Sequence, residues 1–353
     1  MRPVFRVTPR RALIALTGIA ALGLLVAWSG IINIGASSGH WRITSWALHW
    51  AMQNSVRTYA LFEPKPPADL DSAARIRRAA GHFETSCAFC HGSPLHARPR
   101  LAAHTTPMPP GLEDAAQKWR PRELARIVRH GVKYTGMPSW LALQRDDEVW
   151  AMVAFLGALP QMPPEHYRGV AFGPTVPEDR VLQGCARCHG VDGASEDGAF
   201  PVIGGQSEAY LLATLRAFAM ATRPSGFMQF AVDGLSDGDL ERMARHYAAQ
   251  IGVSETVRPD DMSQGARIAL RGLPEADVPA CESCHGASSR RNPGYPRLSG
   301  QDAGYLAEQL RLFKQGHRGG TGYAHVMQKI AGRLPDDAID AVAHFYADET
   351  ASR

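Results

Sequence analysis

All six cysteines of the chain fall in one pattern used three times: Cys87-Ala-Phe-Cys90-His91, Cys185-Ala-Arg-Cys188-His189 and Cys281-Glu-Ser-Cys284-His285. Cys-x-x-Cys-His is the haem-attachment spacing. Two thiols one helical turn apart can each form a thioether with one haem vinyl, and the adjacent histidine is then held as the proximal iron ligand. A disulfide scaffold would say nothing about the residue after each pair. A zinc ribbon pairs two such units about 15–20 residues apart, whereas these lie 98 and 96 residues apart. Three covalently bound haems c are expected, on Cys87, Cys90, Cys185, Cys188, Cys281 and Cys284, with His91, His189 and His285 as iron ligands.

The sixth iron position of a cytochrome is commonly filled by methionine sulfur, which raises the potential. Met228 and Met327 each lie seven residues before a matching leucine, Leu235 and Leu334, and follow their histidines by 39 and 42 residues. Met220 has no counterpart in the third unit and reads as core. In the first unit, Met108 follows His91 by only 17 residues, and Met152 lies in an apolar run. Met137 sits in GMPSW, a loop suited to bring sulfur to iron. The expected distal ligands are therefore Met137, Met228 and Met327, with His325 a rival for the third iron.

These residues need small helical units to position them. A chain of 353 residues is too long for one compact domain. Pro64, Pro66 and Pro67, a proline-rich joint near Leu159–Pro177 and a polar joint near Ser254–Asp261 divide it. The expected segments are 1–39, a basic N-terminus and anchor; 40–62, an amphipathic juxtamembrane helix; and three units at 63–165, 166–255 and 256–353. Units two and three are internal repeats: FPVIGGQSEAYLLATLRAF (200–218) aligns without a gap on YPRLSGQDAGYLAEQLRLF (295–313), and LSDGDLERMARHY on LPDDAIDAVAHFY. Pro121 before ELARIVRH and Gly131 after it mark a helix start and stop. No stretch alternates with period two, so little sheet is expected.

The N-terminus carries Arg2, Arg6, Arg10 and Arg11, then an uncharged run from Ala12 to Gly39. Its apolar part is long enough to span a bilayer at about 20 residues. The best cleavage site, after Ala36, has the bulky Ile34 at −3, so an uncleaved anchor is favoured over a signal peptide. The arginines place the N-terminus in the cytoplasm and export the rest. The following segment repeats Trp46 and Trp50 at helical spacing, as a helix on the membrane surface or one packed on the first unit would. Beyond those four arginines, 34 basic residues face 34 acids, which argues against nucleic-acid binding.

On GLPEADVPACESCHG (272–286) and YPRLSGQDAGYLAEQL (295–310), units two and three resemble the di-haem c-four class of cytochromes c. Unit one, with HFETSCAFCHG and HGVKYTGMPSW, resembles class I cytochrome c domains of membrane dehydrogenases and oxidases. The resemblance implies an all-α fold: three tandem class I cytochrome c domains behind an N-terminal transmembrane helix. It also implies that Pro201 and Pro296 offer their carbonyls to the proximal histidines, a contact that fixes the ring; in unit one, Pro109 or Pro110 would serve. The implied function is one-electron relay in the periplasm, from a quinol-oxidising complex or a dehydrogenase toward a terminal oxidase. A cytochrome subunit delivering electrons from a periplasmic dehydrogenase to quinone is the alternative, although such subunits often anchor at the C-terminus and this chain ends in ADETASR. A peroxidase would need a five-coordinate haem, which three methionines oppose. Unit two has 7 basic residues and 11 acids, a balance of −4, while unit three clusters Arg290, Arg291, Arg297, Arg311, Lys314 and Arg318. Such patches steer redox partners.

Overall fold

Most helix starts in this chain follow its serine, threonine, aspartate and proline positions. In the computed structural model, residues 8–114, 118–173, 177–195, 198–254, 262–288 and 290–348 are described. The fold is all-α, and among these residues extended chain is confined to isolated bridges. The Pro174 of the first joint and the polar joint at 255–261 lie outside the described residues. The helices of seven residues or more are numbered here.

Helix α1 (Pro9–Trp28) opens on Thr8, whose hydroxyl accepts from the Arg11 N–H. It is 20 residues long, has a mean hydropathy of 1.9, and buries no residue against the rest of the chain. Helix α2 (Arg42–Tyr59) behaves differently at its two ends. Val56 and Ala60 are buried, and the Arg126 guanidinium lies 4.9 Å over the Tyr59 ring. Glu63, just beyond, is buried beside Arg129 at 2.9 Å and Arg126 at 3.3 Å. The other end exposes Trp41, Trp46 and Trp50, the last two stacked at 6.4 Å. The amphipathic helix is thus clamped to the first unit at its C-terminal end while its tryptophan face is left open.

Unit one comprises α3 (Ala73–His82), α4 (Pro121–His130), α5 (Asp146–Ala158) and α6 (Pro164–Phe172). Pro121 opens α4 and Gly131 follows it at φ 63°, as the sequence predicts. Phe83, Val149, Trp150, Met152, Phe155 and Tyr167 form the core. The proline-rich joint near Leu159–Pro177, expected to be a surface linker between units, is corrected here: Leu159, Tyr167 and Ala171 are buried in that core. Prolines mark only the ends of α6, and its aromatic face supplies the burial that a polar linker would lack. The Tyr167 hydroxyl donates to Glu84 at 2.5 Å, tying α6 to the first cysteine segment.

Unit two comprises α7 (Arg180–His189), α8 (Glu208–Ala219), α9 (Gly226–Val232) and α10 (Asp237–Ala248), capped by Asp179, Ser207, Ser225 and Ser236. Unit three comprises α11 (Gln264–Arg271), α12 (Ala303–Lys314), α13 (Ala324–Arg333) and α14 (Asp336–Ala347). The sequence repeat is a structural repeat, with α8, α9 and α10 answered by α12, α13 and α14. The first and last helices of unit three cross at Gly265, where a Cβ would stand 2.2 Å from the Ala341 carbonyl. Only glycine permits that approach.

Candidate functional site

Each cysteine pair is wound into helix, so the local spacing becomes a local geometry. In unit one, α3 continues through a wider turn at Phe83–Cys87 into a last turn at Ala88–His91. Thr85 and Ser86 cause the widening: their hydroxyls donate to the Gly81 and His82 carbonyls at 3.0 and 2.6 Å, competing with the regular ladder. In unit two the pair lies on the last turns of α7, and in unit three on the turn Glu282–His285. Each of the six cysteines is partly buried.

The histidines are fixed in the same way three times. His91 Nδ1 donates to the Pro110 carbonyl at 2.9 Å, His189 to Pro201 at 3.2 Å, and His285 to Pro296 at 2.8 Å. A carbonyl only accepts, so the proton sits on Nδ1 and the Nε2 lone pair is left for a metal. For unit one this selects Pro110; the Pro109 carbonyl is taken by Arg98. Burial pushes all three histidines below the ordinary imidazole range, which keeps them in the neutral ligand form. Burial also raises the thiols, Cys185 to about 12, Cys188 to about 11 and Cys281 to about 12. A disulfide-exchange pair needs a depressed thiol, and burial works against one at those residues.

In units two and three the apolar residues separate into two clusters each. In unit two, Cys185 packs with Leu211, Ala244 and Tyr247, whereas Met228 packs with Phe218, Val232 and Leu240. In unit three, Cys281 belongs with Ile268, Ile339 and Tyr346, whereas Met327 belongs with Phe313, Ala324 and Ala331. Leu212 and Leu215 touch both clusters of unit two, and Leu310 touches both of unit three. A cysteine at one cluster and a thioether at the other suit a flat apolar group such as haem. His325 is exposed and lines an open groove with Arg271 and Lys329, away from the Met327 cluster. Met137 is half-buried in its loop, its N–H bonded to Thr135 Oγ1 at 3.1 Å and its carbonyl to the Val132 N–H at 3.2 Å. Met108 is exposed, and Met152 is core. Met220 is a correction: it ends α8 past the buried face and is exposed, not core.

The repeat also builds the junction between units two and three. Gln206 pairs with both the N–H and the carbonyl of Arg297, at 2.7 and 3.0 Å. Gln301 pairs with both the N–H and the carbonyl of Val202, each at 2.8 Å. The offset is the same in both, 95 residues. Arg223 donates to Tyr305 and Gln309, and Arg318 to Tyr210. Burial and the neighbouring Arg223 push Arg318 below its usual range. Burial alone would raise Tyr210, but Arg318 and Arg223 bring it down to about 8. Arg223 is buried and Arg318 half-buried, and their guanidiniums also lie over the Phe218 and Phe313 rings at 4.7 and 4.3 Å. The sequence reading named Arg318 only within a charged cluster and missed Arg223; the 95-residue offset that pairs Tyr210 with Tyr305 also pairs Arg223 with Arg318, five residues beyond the aligned block.

Residues 74–156 match the family model described as cytochrome c oxidase, cbb3-type, subunit III. The chain is similar to cytochrome c4 of Stutzerimonas stutzeri, 34% identical over 172 residues, which are 46% of this chain and 82% of that protein. It is 35% identical over 173 residues to a thiosulfate dehydrogenase electron acceptor of Stutzerimonas stutzeri strain A1501, covering 46% of this chain and 78% of that one. Among solved structures, reduced cytochrome c4 from Pseudomonas stutzeri aligns with a TM-score of 0.43 and 32% identity, over 48% of this chain and 95% of that chain.

Proposed function

Because this chain belongs to the cytochrome c4 family of electron carriers with covalently bound haem, we propose that it holds three haems, one per unit, and relays electrons singly at the outer face of a membrane. The observation that carries this reading is the threefold recurrence of one arrangement: a helical Cys-x-x-Cys, then a histidine whose Nδ1–H is held by a prolyl carbonyl. Bound haem would supply the one-electron iron couple. The thiols of Cys87 and Cys90, Cys185 and Cys188, and Cys281 and Cys284 would hold it. His91, His189 and His285 would ligate on one side, and Met137, Met228 and Met327 on the other.

The proposed domains are 63 to about 172, about 177–254 and about 262–348, the first extended to include α6. Helix α1 would be the anchor, with the three units in the periplasm. Contacts between units support a linear order. A Cβ on Gly81 of α3 would stand 3.2 Å from Cys188 Sγ, so the helix leading to Cys87 abuts the second attachment site. The second and third sites meet across the Gln206–Gln301 junction. Unit one, next to the anchor, would receive electrons from a quinol-oxidising complex, and unit three would pass them toward a terminal oxidase.

A second reading has its own support. The relative named thiosulfate dehydrogenase electron acceptor favours a periplasmic dehydrogenase as the donor. Intact-mass measurement of the membrane-extracted protein tests the cofactor count, with three haem masses above the polypeptide expected and one or two refuting it. Gentle solubilisation tests the partner: co-purification of an oxidase supports the relay, and of a dehydrogenase the second reading.

A further inference from the structure

Helix α9, which carries Met228, begins on the surface of unit one. Pro224 to Gly226 lies against Trp140, Arg145 and Glu148. Glu148 is 1% exposed, yet both carboxylate oxygens are fully used. One accepts from the Ser225 hydroxyl and from Arg145 at 3.0 Å. The other accepts from the Gly226 N–H at 2.6 Å and the Trp140 indole N–H at 3.0 Å. Two donors come from its own unit and two from the start of α9. Arg145 also donates to the Pro224 carbonyl at 2.9 Å.

Ser225 transmits this anchorage to the methionine. Its hydroxyl proton goes to Glu148, so a lone pair is left to accept from the Met228 N–H at 3.1 Å. Its own N–H is held by Gln229 at 2.9 Å. The residues around Met228 are fixed from the same side: Phe227 packs on His82 and Trp140 at 5.1 and 5.4 Å between ring centres, and Phe230 on His82 at 5.2 Å. Gly226 has no room for a side chain, because a Cβ would stand 2.2 Å from the indole nitrogen. Methionine has three rotatable bonds, so its sulfur reaches one point reproducibly only if its backbone is held. Unit three lacks this device. Ala324 stands 99 residues after Ser225, as Met327 does after Met228, and α13 has no side-chain cap at its start.

We propose that Glu148, a residue of unit one, is the positioning residue for the sulfur ligand of the second haem, so that unit one builds part of the ligand side of unit two. The carboxylate orients Ser225, Ser225 orients the Met228 backbone, and the aromatic cluster closes the remaining freedom. The potential and ligand geometry of the second haem therefore depend on how unit one is seated, while those of the third do not.

This rests on Met228 being an iron ligand, and the test separates the two ideas. Proton NMR of the reduced full-length holoprotein resolves the methyl signal of each iron-bound methionine. Met228→Ala identifies the signal of the second haem by its loss; if no signal is lost, the ligand reading fails and this inference with it. Glu148→Ala should shift that same signal or remove most of its intensity and lower one of three potentials, leaving the Met327 signal in place. Glu148→Gln keeps one acceptor oxygen for two of the four donors but turns an amide NH2 toward the other two, so it should restore only part of it. Ser225→Ala provides a second variant should Glu148→Ala not fold, since alanine already occupies the matching place in unit three; it should displace the Met228 signal alone. If the Met228 signal and all three potentials stay unchanged in the variants that fold, the inference is overturned.

Discussion

The two junctions of this molecule are built on opposite plans. Between units two and three, the same residue types do the same work twice: Gln206 and Gln301 each clasp the other unit's backbone, and Arg223 and Arg318 each reach the other unit's tyrosine. Between units one and two, nothing is repeated. Glu148 is bound by Ser225 and Gly226, Arg78 donates to the Ala199 carbonyl at 2.8 Å, and the unbonded guanidinium edge of Arg187 stacks 4.7 Å over Phe172. Two copies of one sequence can pair by facing each other, because each contact found once is found again by symmetry. A unit of different sequence must be fitted by single contacts, each with its own cost if lost.

That contrast fixes the largest expected effect. Gly226→Val should break the first junction and spare the second. A side chain there collides with the Trp140 ring, and overpacking of this kind costs about 3 kcal/mol. Denaturant unfolding should show the loss, and limited proteolysis should now cut between units one and two while the pair formed by units two and three stays resistant. Resistance at the first junction would mean that Gly226 is not confined.

The symmetric junction makes a numerical demand. Gln206→Ala and Gln301→Ala each orphan one buried N–H and one carbonyl, at a cost of about 2 kcal/mol. The two losses should agree within about 0.5 kcal/mol, the usual scatter between equivalent sites. Unequal losses, measured by chemical denaturation, would show that the likeness of the two halves does not extend to their energetics.

The smallest effect is a pH dependence of the first junction. His82 lies among Trp140, Phe227 and Phe230, and burial holds it down to about 4. An unfolded histidine titrates near 6.5, so as pH falls below that value the unfolded chain takes up a proton the folded one refuses. Stability is present above pH 6.5 and declines toward pH 4, by roughly 1 kcal/mol between pH 7 and 5.5. His82→Phe should reduce the slope by that share, read as unfolding midpoints across the range; an unchanged slope would place its origin in the other buried histidines.

Much of the candidate site was legible because haem attachment is local. Cys185, Cys188 and His189 span five residues, and their chemistry follows from one helical turn. The repeat was equally legible, since alignment by a constant offset needs no coordinates, and it carried Met228 and Met327 over His325. It failed where periodicity was missing or misread. Met220 was assigned to core for want of a counterpart, but it lies one residue past the end of α8 and faces solvent. The prolines near α6 suggested a linker, though they only bound a helix whose Tyr167 is fully buried.

By itself, then, the sequence located three Cys-x-x-Cys-His motifs and showed that two of the units are repeats of one another. Each of those properties is written within a few residues or in a fixed offset. Only the tertiary structure chose Pro110 over Pro109 for His91, seated α6 in the first core, and brought Glu148 to Ser225 across 77 residues. A buried carboxylate must find its donors wherever the fold delivers them, and no local spacing states where two unlike surfaces will meet.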